Sequence, residues 1–491
     1  MELEADMLRM QMQIQKFSQM IFGSKSERFI ANPAQLTLDM DAGTNGAATK
    51  LSDVKKVEYI STPKGSKRTL DELGGYMQGL PRIYEVREPK HLPAGAVKIG
   101  EQQHEVLEIT RAKVHVRVII TPTYKCSAEQ GQSVIVSEPP PARPLPKCVA
   151  GPGLLAQVLV DKFCDHLPVN RQVKRFERDG LSIPYNTLLD WSAKSIDLIS
   201  VLHQAQKKAL LCSPYIHVDE TGLKVLLGKQ SKGNNNKHIH SGYLWCYHSS
   251  RDKLVFFDYQ AGRGECHTHA MLKDYKGIIQ TDGWQVYENV AGKNRDIIQI
   301  CCLAHARRKF KDAEPYDKER CAYALGKFKV LYDIERRCKE KNLSEDEIRD
   351  TRQKESVPIL EELHGWMVEQ YKSLLPSAPL SQAIGYNLRH WQRLCHYTTE
   401  GMLLPDNNAV EARIRPVALG RHNYLFAGSE KGAERIAIIY SLLGTCKINK
   451  VNPLEWLQDV LERINDHPIN RISELLPQNW KKFQPNNPDQ P

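Results

Sequence analysis

The spacing of the apolar residues changes along the chain and predicts where helices and strands lie. At the N-terminus, apolar residues recur every three or four positions, which predicts an amphipathic helix within residues 1–30. These residues are Leu3, Met7, Met10, Ile14, Phe17 and Ile21. The apolar stripe is narrow, so it suits pairing with a helix of a second copy as well as packing on its own chain.

The next two segments differ in composition. Residues 31–80 are poor in large apolar side chains and rich in Gly, Thr, Asp and Lys, which predicts a linker. Residues 81–135 show the β-branched alternation that is typical of strands, for example in EVLEITRAKVHVRVIITPTYKC. We interpret them as a small β-rich module, followed by a proline-rich linker at residues 136–150.

Residues 151–211 have a helical pattern. Asp179 and Gly180 interrupt one helix, and Ser182 precedes the next. A helix, a glycine-containing turn and a second helix are the components of a helix-turn-helix, although a plain helical hairpin has the same pattern. The first helix carries four basic residues that would contact DNA in a helix-turn-helix: Arg171, Lys174, Arg175 and Arg178.

From residue 212, short apolar runs predict strands, with a helix in ECHTHAMLKDYK after the third run. This order predicts an α/β domain over residues 212–440, with a charged, mostly helical insertion at about 306–400. A helical segment follows at 441–480, and residues 481–491 are predicted to fray. The fold class is therefore multidomain α/β.

Composition adds few constraints to this picture. A chain of 491 residues is too long for one core. The excess of 68 Lys and Arg over 58 Asp and Glu is compatible with a polyanion partner. The 12 cysteines form no C-x-x-C pair, which favours a reduced, intracellular chain. We expect a cytoplasmic protein, because no apolar run reaches the ~18 residues that cross a bilayer and no signal peptide is present.

Three acidic residues lie where their carboxylates could converge. Asp219 ends the first strand in YIHVDETGLKV, Asp282 ends the fourth in IIQTDGW, and Glu411 lies near a helix start in DNNAVEARIRP. Such carboxylates can bind a pair of Mg²⁺ or Mn²⁺ ions, which suit phosphoryl transfer. Structural roles explain the first two acids equally well, as residues of turns. Glu411 could likewise form a capping box with Asn408 or an ion pair with Arg415.

Asp219 is followed directly by a second acid, Glu220. Strand alternation puts Tyr215, His217 and Asp219 on one face of the strand. It puts Val218 and Glu220 on the other face. If the strand continues through residue 220, only one of the two acids can belong to a given site.

Basic residues cluster near the candidate acids in the sequence. They are predicted to contact a phosphate backbone, although solvent-exposed helix faces would show the same clustering. These residues are His305, Arg307, Arg308, Lys309, Arg415, Arg421, Lys431 and Arg435.

Several long motifs, in this order, resemble bacterial transposases of the insertion-sequence-66 family. They are FGSKSERF, LPVNRQVKRFERDGLSIPYNTLLDW, HVDETGLKVL, IIQTDGWQVYENV, CLAHARRKF and NNAVEARIRPVALGRHNYLFAGSEKGAER. The resemblance extends from about residue 10 to about residue 480. It implies a DNA transposase with an RNase H-like core, which cuts transposon ends and transfers their 3′-hydroxyl ends into target DNA.

By motif position, the resemblance implies a catalytic triad of Asp219, Asp282 and Glu411 with two Mg²⁺ or Mn²⁺ ions. Glu434 is an alternative third acid. The resemblance also implies DNA as a partner, self-association through the N-terminal helix, companion proteins of the same element, and a location at the bacterial nucleoid. A catalytically inactive DNA-binding remnant and a general RNase H-like nuclease remain alternative functions.

The β-rich module departs from the family pattern. In family members the 85–130 region resembles a zinc-binding module with cysteine pairs. Here HLPAGAVKIGEQQ has no Cys and YKCSAEQG has Cys126 alone. A tetrahedral zinc site needs four N or S ligands, which Cys126 and His91 cannot supply. We therefore expect this module to fold without zinc, or to fold poorly.

Overall fold

A computed structural model describes residues 116, 123–127, 133–137, 143–146, 148–226 and 239–481. The predicted N-terminal helix, the 31–80 linker and most of the 81–135 module lie outside the described residues. The same holds for all but the first residue of the 481–491 tail. Within the 81–135 region and just beyond it, two strands form an antiparallel hairpin, with Thr123 paired to Ser137: β1 (Thr123–Ser127) and β2 (Ser133–Ser137).

Four helices precede the main sheet: α1 (Pro152–Phe163), α2 (Val169–Arg178), α3 (Tyr185–Leu198) and α4 (Ser200–Leu211). Gly180, in the turn after α2, has a φ of +82°, which favours glycine. The first three helices share a small apolar core, to which Val158, Phe176 and Leu188 each contribute a buried side chain. The helix, glycine turn and helix expected from the sequence are therefore present, and a DNA-binding role for them stays a prediction.

The main sheet has five strands in the order β5-β4-β3-β6-β7. The first three strands are antiparallel, whereas β6 and β7 run parallel to β3. The strands are β3 (Tyr215–Leu226), β4 (Ile239–Ser249), β5 (Leu254–Gln260), β6 (Gly277–Thr281) and β7 (Ile297–Cys301). Three helices are interleaved with or follow them: α5 (Glu265–Leu272), α6 (Gln285–Lys293) and α7 (Leu303–Ala313).

Helices α8 to α12 form the helical insertion that the sequence predicts, and α7 leads into it. Its bounds are α8 (Lys318–Glu340), α9 (Glu345–Thr351), a π-helical turn (Arg352–Ser356), α10 (Val357–Ser373), α11 (Pro379–Arg389) and α12 (Trp391–Cys395). Apolar side chains of α7 and the insertion, including Phe310 and Ile384, share a core with Tyr215 and Ile300 of the sheet. The insertion is therefore packed against the half of the sheet formed by β3, β6 and β7.

Three helices form the C-terminal part: α13 (Asn408–Tyr424), α14 (Glu430–Ile448) and α15 (Pro453–Arg463). The first two pack on β3, β4 and β5, whereas α15 packs on α1. A short 3-10 segment follows at Ile469–Leu475. Helix α14 lies along β5, where the Ser441 hydroxyl accepts a hydrogen bond from the Phe257 amide at 2.7 Å. The domain boundary predicted at residue 440 lies inside this helix. Among the described helices, none combines the length and apolar character that a membrane crossing requires.

Candidate active site

Asp219 in β3 and Asp282, directly after β6, lie at matching positions of two neighbouring parallel strands. The register of β3 and β6 pairs Tyr215 with Ile278 and His217 with Gln280, an offset of 63 residues (278−215). Asp219 and Asp282 differ by the same 63 residues (282−219). Continuing this register by two residues therefore places the two aspartates side by side, where the parallel pairing ends.

Asp219 does not end its strand, and the prediction that it does is wrong. β3 continues to Leu226, because β4 pairs with it along its whole length beyond His217. The parallel pairing with β6 stops at His217, however, so Asp219 projects just past the end of the parallel part of the sheet. The carboxyl ends of parallel strands are where open α/β sheets bind their ligands.

A tight turn holds Asp282 just after β6. Its carboxylate oxygen Oδ1 accepts a hydrogen bond from the Trp284 amide at 2.9 Å. Gly283, between them, has a φ of +85°, a conformation that glycine adopts without strain. The turn role that the sequence allowed for the Asp-Gly pair is therefore real, and it leaves the second carboxylate oxygen of Asp282 outside that turn.

Asn407 fixes the start of α13 against β3. Its side-chain amide donates to the Val218 carbonyl at 3.0 Å, and its Oδ1 lies 3.1 Å from Nδ1 of His217. Its main-chain amide lies 3.2 Å from Sγ of Cys302, at the end of β7. Glu411 lies in the first turn of α13, so these contacts hold its helix turn against the part of β3 that carries Asp219.

Both structural alternatives for Glu411 are wrong. The residue that precedes the helix is Asn407 rather than Asn408, and no side-chain hydrogen bond caps α13, so there is no capping box. In the described part of the chain, the ionic neighbour of Glu411 is His305, whose Nε2 lies 3.9 Å from Oε1, and no ion pair joins Glu411 to Arg415. Glu411 is thus left available to the acidic site.

The pKa of Asp219 is raised above its ordinary value of 3.8. Burial raises this pKa most, and the charges of Glu220, Asp282 and Glu411 add to the increase. A hydrogen bond from the Glu220 amide offsets part of the effect, and the resulting pKa is about 7. Glu434 acts elsewhere, because it lies on α14 where its charge affects Tyr259 and Arg435.

Glu220 lies on the other face of β3, as strand alternation predicts. Its side chain is only 4% exposed, so it is not a surface acid. It accepts hydrogen bonds from the Tyr287 hydroxyl at 2.6 Å and from Nε of Arg263 at 2.8 Å. Arg263 in turn lies over the ring of Trp284, 4.0 Å from its centroid. Glu220 is therefore a buried acid that is paired with Arg263.

The three acids fit hard divalent cations by chemistry and environment. Mg²⁺ prefers oxygen ligands and is commonly held by one or two carboxylates, with waters completing its shell. Asp219 is largely buried beside like charges, and no ion pair to it occurs among the described residues. As placed, however, no three His, Cys, Asp or Glu side chains of the described chain stand close enough to share a single ion.

Three of the predicted DNA-contacting cations are engaged within the chain. Arg175 pairs with the buried carboxylate of Asp161. Arg421 donates a hydrogen bond to the carbonyl of Gly222 in β3. Arg435 binds Asp197 in α3 through Nε at 2.8 Å and Nη2 at 2.6 Å. Each of the three cations thus has a structural contact that DNA would have to share or displace.

The remaining predicted cations face solvent, except His305, which is half-buried beside Glu411. Lys309 lies over the ring of Tyr386 at 5.1 Å, Arg171 donates to Asn423 at 3.4 Å, and Lys431 lies 3.8 Å from Asp197. The exposed side chains are Arg171, Lys174, Arg178, Arg307, Arg308, Lys309, Arg415 and Lys431. DNA contact by all twelve residues stays a prediction.

The sequence did not single out Asn407, Tyr386 or Arg263. Asn407 and Tyr386 contact the acid-bearing segments from distant parts of the chain, and Arg263 lies 43 residues from its partner Glu220. No periodic pattern marks such contacts. A local signal was the polar segment DNN at the start of α13. Neither helix nor strand propensity explains these residues, which indicates that one of their side chains makes a specific hydrogen bond.

Comparison with protein families places the chain among transposases. Residues 147–435 match the family described as "Transposase IS66 family", and residues 441–478 match the "IS66 C-terminal element". The first match alone covers more than half of the chain, so the chain belongs to the IS66 transposase family. The family prediction from the sequence motifs is thereby confirmed.

Two similar proteins come from Sinorhizobium fredii (strain NBRC 101917 / NGR234). The uncharacterized protein y4hP is 30% identical over 409 residues, which cover 78% of this chain and 72% of that protein. The uncharacterized protein y4jD is 28% identical over 512 residues, which cover 98% of this chain and 96% of that protein. The comparison with solved structures gives no match.

Proposed function

We propose that the chain is a DNA transposase whose catalytic acids are Asp219, Asp282 and Glu411. It would cut transposon ends and transfer their 3′-hydroxyl ends into target DNA, in an RNase H-like core formed by the five-stranded sheet. The observation that supports the proposal is the register of β3 and β6, whose continuation aligns Asp219 with Asp282, while Asn407 ties the start of α13, the helix of Glu411, to β3. Membership of the IS66 family supports DNA as the substrate.

The three carboxylates would hold two Mg²⁺ or Mn²⁺ ions. When bound, such ions stabilise the charge on the attacking and leaving oxygens of a phosphoryl transfer. Asp219 supplies a desolvated carboxylate, and Asp282 supplies a carboxylate whose direction is set by the Trp284 amide. The site thus has oriented oxygen donors before any ion or DNA binds.

Cations on α7 would bind DNA phosphates beside the acids. His305 lies in the first turn of α7 and 3.9 Å from Glu411, and Arg307, Arg308 and Lys309 follow it on exposed positions. Phosphate contacts of this kind fix the register of a DNA strand without reading its sequence. They would place a backbone phosphate next to the carboxylates.

Further parts of the proposal rest on the family resemblance. Helices α2 and α3 would act as a helix-turn-helix, with Lys174 and Arg178 exposed on α2. The N-terminal helix would mediate self-association, and companion proteins of the same element would take part. The protein would act at the nucleoid.

The test uses the full-length protein and linear DNA that carries the terminal inverted repeats of its element. Asp219→Asn and Asp282→Asn should each abolish Mg²⁺-dependent nicking while DNA binding, measured by electrophoretic shift, persists. Asp274→Asn is the matched control, because the Asp274 side chain is 84% exposed and lies beside Lys273, before β6 rather than after it. It should cut like the wild type.

The same assay separates the alternatives. Retained cleavage in both site variants would refute the acid assignment. A wild-type protein that shifts the correct ends but does not cut them with any of several divalent ions would be an inactive remnant. Cleavage without preference for the end sequence would indicate a general nuclease.

A further inference from the structure

Helix α11 of the helical insertion contacts the loop that carries Asp282. The hydroxyl of Tyr386, in α11, donates a hydrogen bond to the main-chain carbonyl of Asp282 at 2.6 Å. The two residues are 104 positions apart, so this carbonyl is held by a distant part of the fold rather than by its own turn.

The absence of a side chain at Gly283 allows the Tyr386 hydroxyl to lie close to the main chain of the loop. A Cβ atom on Gly283 would lie 2.9 Å from the Tyr386 hydroxyl, 3.5 Å from Sγ of Cys301 and 3.6 Å from Nε2 of His390. Three side chains from the insertion and from β7 thus surround a loop position that has no side chain of its own. A side chain larger than that of glycine at this position would therefore collide with the Tyr386 hydroxyl.

The insertion also holds the residues that follow the loop. Glu288 lies in the first turn of α6, and its Oε1 is 2.5 Å from Nη1 of Arg393 in α12. The same oxygen lies 3.2 Å from Nδ1 of His390, which is only 4% exposed. The segment from Asp282 to Glu288 is therefore attached to the insertion at both of its ends.

We propose that Tyr386 is a positioning residue for the acidic site. Through the carbonyl of Asp282, it holds the Asp282 carboxylate level with Asp219, so that the helical insertion supports the site. This inference rests on the proposed function, in which Asp282 is a catalytic acid. The turn at Gly283 needs an additional contact to fix its conformation, because glycine leaves the backbone more freedom than any other residue does. A catalytic group must be held to a fraction of an ångström by the contacts that surround it.

Tyr386→Phe tests the inference, since it removes the hydroxyl and keeps the ring. Tyr247→Phe is the matched control: Tyr247 is a buried tyrosine of β4 whose hydroxyl has no hydrogen-bond partner within the described residues. The first measurement is amide hydrogen exchange of the metal-free, full-length protein. Tyr386→Phe should speed exchange in residues 280–287 by about threefold or more and leave the other segments unchanged.

The second measurement is function at the site. Tyr386→Phe should weaken Mn²⁺ binding, followed by electron paramagnetic resonance, several-fold relative to Tyr247→Phe. The single-turnover rate of Mg²⁺-dependent nicking at saturating DNA should fall about ten- to a hundredfold, because small displacements of catalytic groups have effects of that size. The Kd for DNA should not change.

The outcomes separate this inference from the proposed function. If the wild type binds Mn²⁺ and cuts, but Tyr386→Phe matches Tyr247→Phe in exchange, Mn²⁺ affinity and rate, the positioning role is wrong and the proposed function stands. Faster exchange throughout the chain would also overturn it, since the role would then be one of general stability. A wild type that neither binds Mn²⁺ nor cuts would overturn both.

Discussion

The side-chain amide of Asn407 donates a hydrogen bond to the main-chain carbonyl of Val218, the residue directly before Asp219. The carbonyl oxygen of the same side chain lies 3.1 Å from the ring of His217. One fully buried side chain thus joins the start of α13, with Glu411, to the strand that carries Asp219. The geometry of the site depends on this junction between two distant parts of the chain.

Asn407→Ala should therefore lower both stability and activity. It leaves the buried Val218 carbonyl without a partner, which costs about 1–3 kcal/mol of unfolding free energy. Urea denaturation measures that loss, and the nicking assay should show a larger relative loss because Glu411 is no longer held. Asn423→Ala, on the same helix but half-buried, is the control and should change neither strongly. An Asn407→Ala protein with wild-type stability would contradict this role.

The pKa of Asp219 leads to a pH-dependent prediction. Its folded-state pKa of about 7 lies above the ordinary value of 3.8, because burial and the neighbouring acids disfavour its charged form. The folded protein therefore binds the proton more tightly, and the stability this provides is present below about pH 4 and lost as the pH rises through about 7. Asparagine does not titrate, so Asp219→Asn should lack this loss.

At pH 8, Asp219→Asn should accordingly be more stable than the metal-free wild type, by on the order of 2–4 kcal/mol. The measurement is chemical denaturation of both proteins between pH 5 and pH 8 in the presence of a chelator. Their difference in unfolding free energy should grow with pH. A difference in unfolding free energy that is constant over this range would show that the pKa of Asp219 is not raised in the folded protein.

Addition of Mg²⁺ should reverse that order. Bound cations offset the repulsion among the three carboxylates, and any ligand that binds only the folded state raises its stability. The melting temperature of the wild type should rise with millimolar Mg²⁺, whereas that of Asp219→Asn should change little. Equal increases in the two proteins would place the metal elsewhere.

The two adjacent acids of β3 should differ sharply in their effect on cleavage. Glu220→Gln keeps an acceptor for Arg263 and Tyr287, and Glu220 lies on the face of β3 opposite to Asp219. We expect it to lower the nicking rate by about tenfold or less, while Asp219→Asn abolishes nicking. Comparable losses in the two variants, at equal stability, would mean that both acids belong to the site.

The difference between Asp219 and Glu220 was predicted from strand alternation. The alignment of Asp219 with Asp282, in contrast, could not be recognised from the sequence alone. The separation of 63 residues between Asp219 and Asp282 becomes informative only once β3 and β6 are known to pair at that offset. Helix α6 was missed because it has nine residues and buries only Tyr287 and Val290, too few for a periodic signal. The five strands along the chain and the helical insertion, in contrast, follow from short apolar runs and from a charged helical pattern.

The contacts that hold the acids could not be predicted. Asn407 and Tyr386 donate hydrogen bonds to main-chain carbonyls. Every residue has such a carbonyl, so the residue type does not indicate which carbonyl accepts the bond. The end of β3 was misjudged for a similar reason. A pair of adjacent acids usually marks a turn, but pairing with β4 extends the strand to Leu226 and the packing of Glu220 against Arg263 neutralises one acid.

The third acid can be assigned by comparing Glu411→Gln with Glu434→Gln. Glu411 acts electrostatically on Asp219, whereas Glu434 is exposed on α14 and acts on Tyr259 and Arg435. Glu411→Gln should therefore abolish Mg²⁺-dependent nicking and leave DNA affinity unchanged, and Glu434→Gln should cut like the wild type. The opposite result would move the catalytic role to α14.

The basic residues should separate into those that bind DNA and those that hold the fold. Lys174 and Arg178 are exposed on α2, so their replacement by Ala should weaken DNA binding for all sequences and reduce its salt dependence by roughly one ion for each phosphate that is no longer neutralised. Arg435 is bonded twice to Asp197, so Arg435→Ala should lower the unfolding free energy by about 1–3 kcal/mol with a smaller change in the salt slope.

Fluorescence anisotropy of labelled end DNA at several salt concentrations, together with urea denaturation, measures both effects. Lys208→Ala, an exposed lysine on α4, is the control for loss of charge alone. If Lys174→Ala and Arg178→Ala leave the salt slope at the wild-type value, α2 does not contact the phosphate backbone. Helices α2 and α3 would then form a structural hairpin, and the basic positions of α7 beside Glu411 would be the principal DNA contacts.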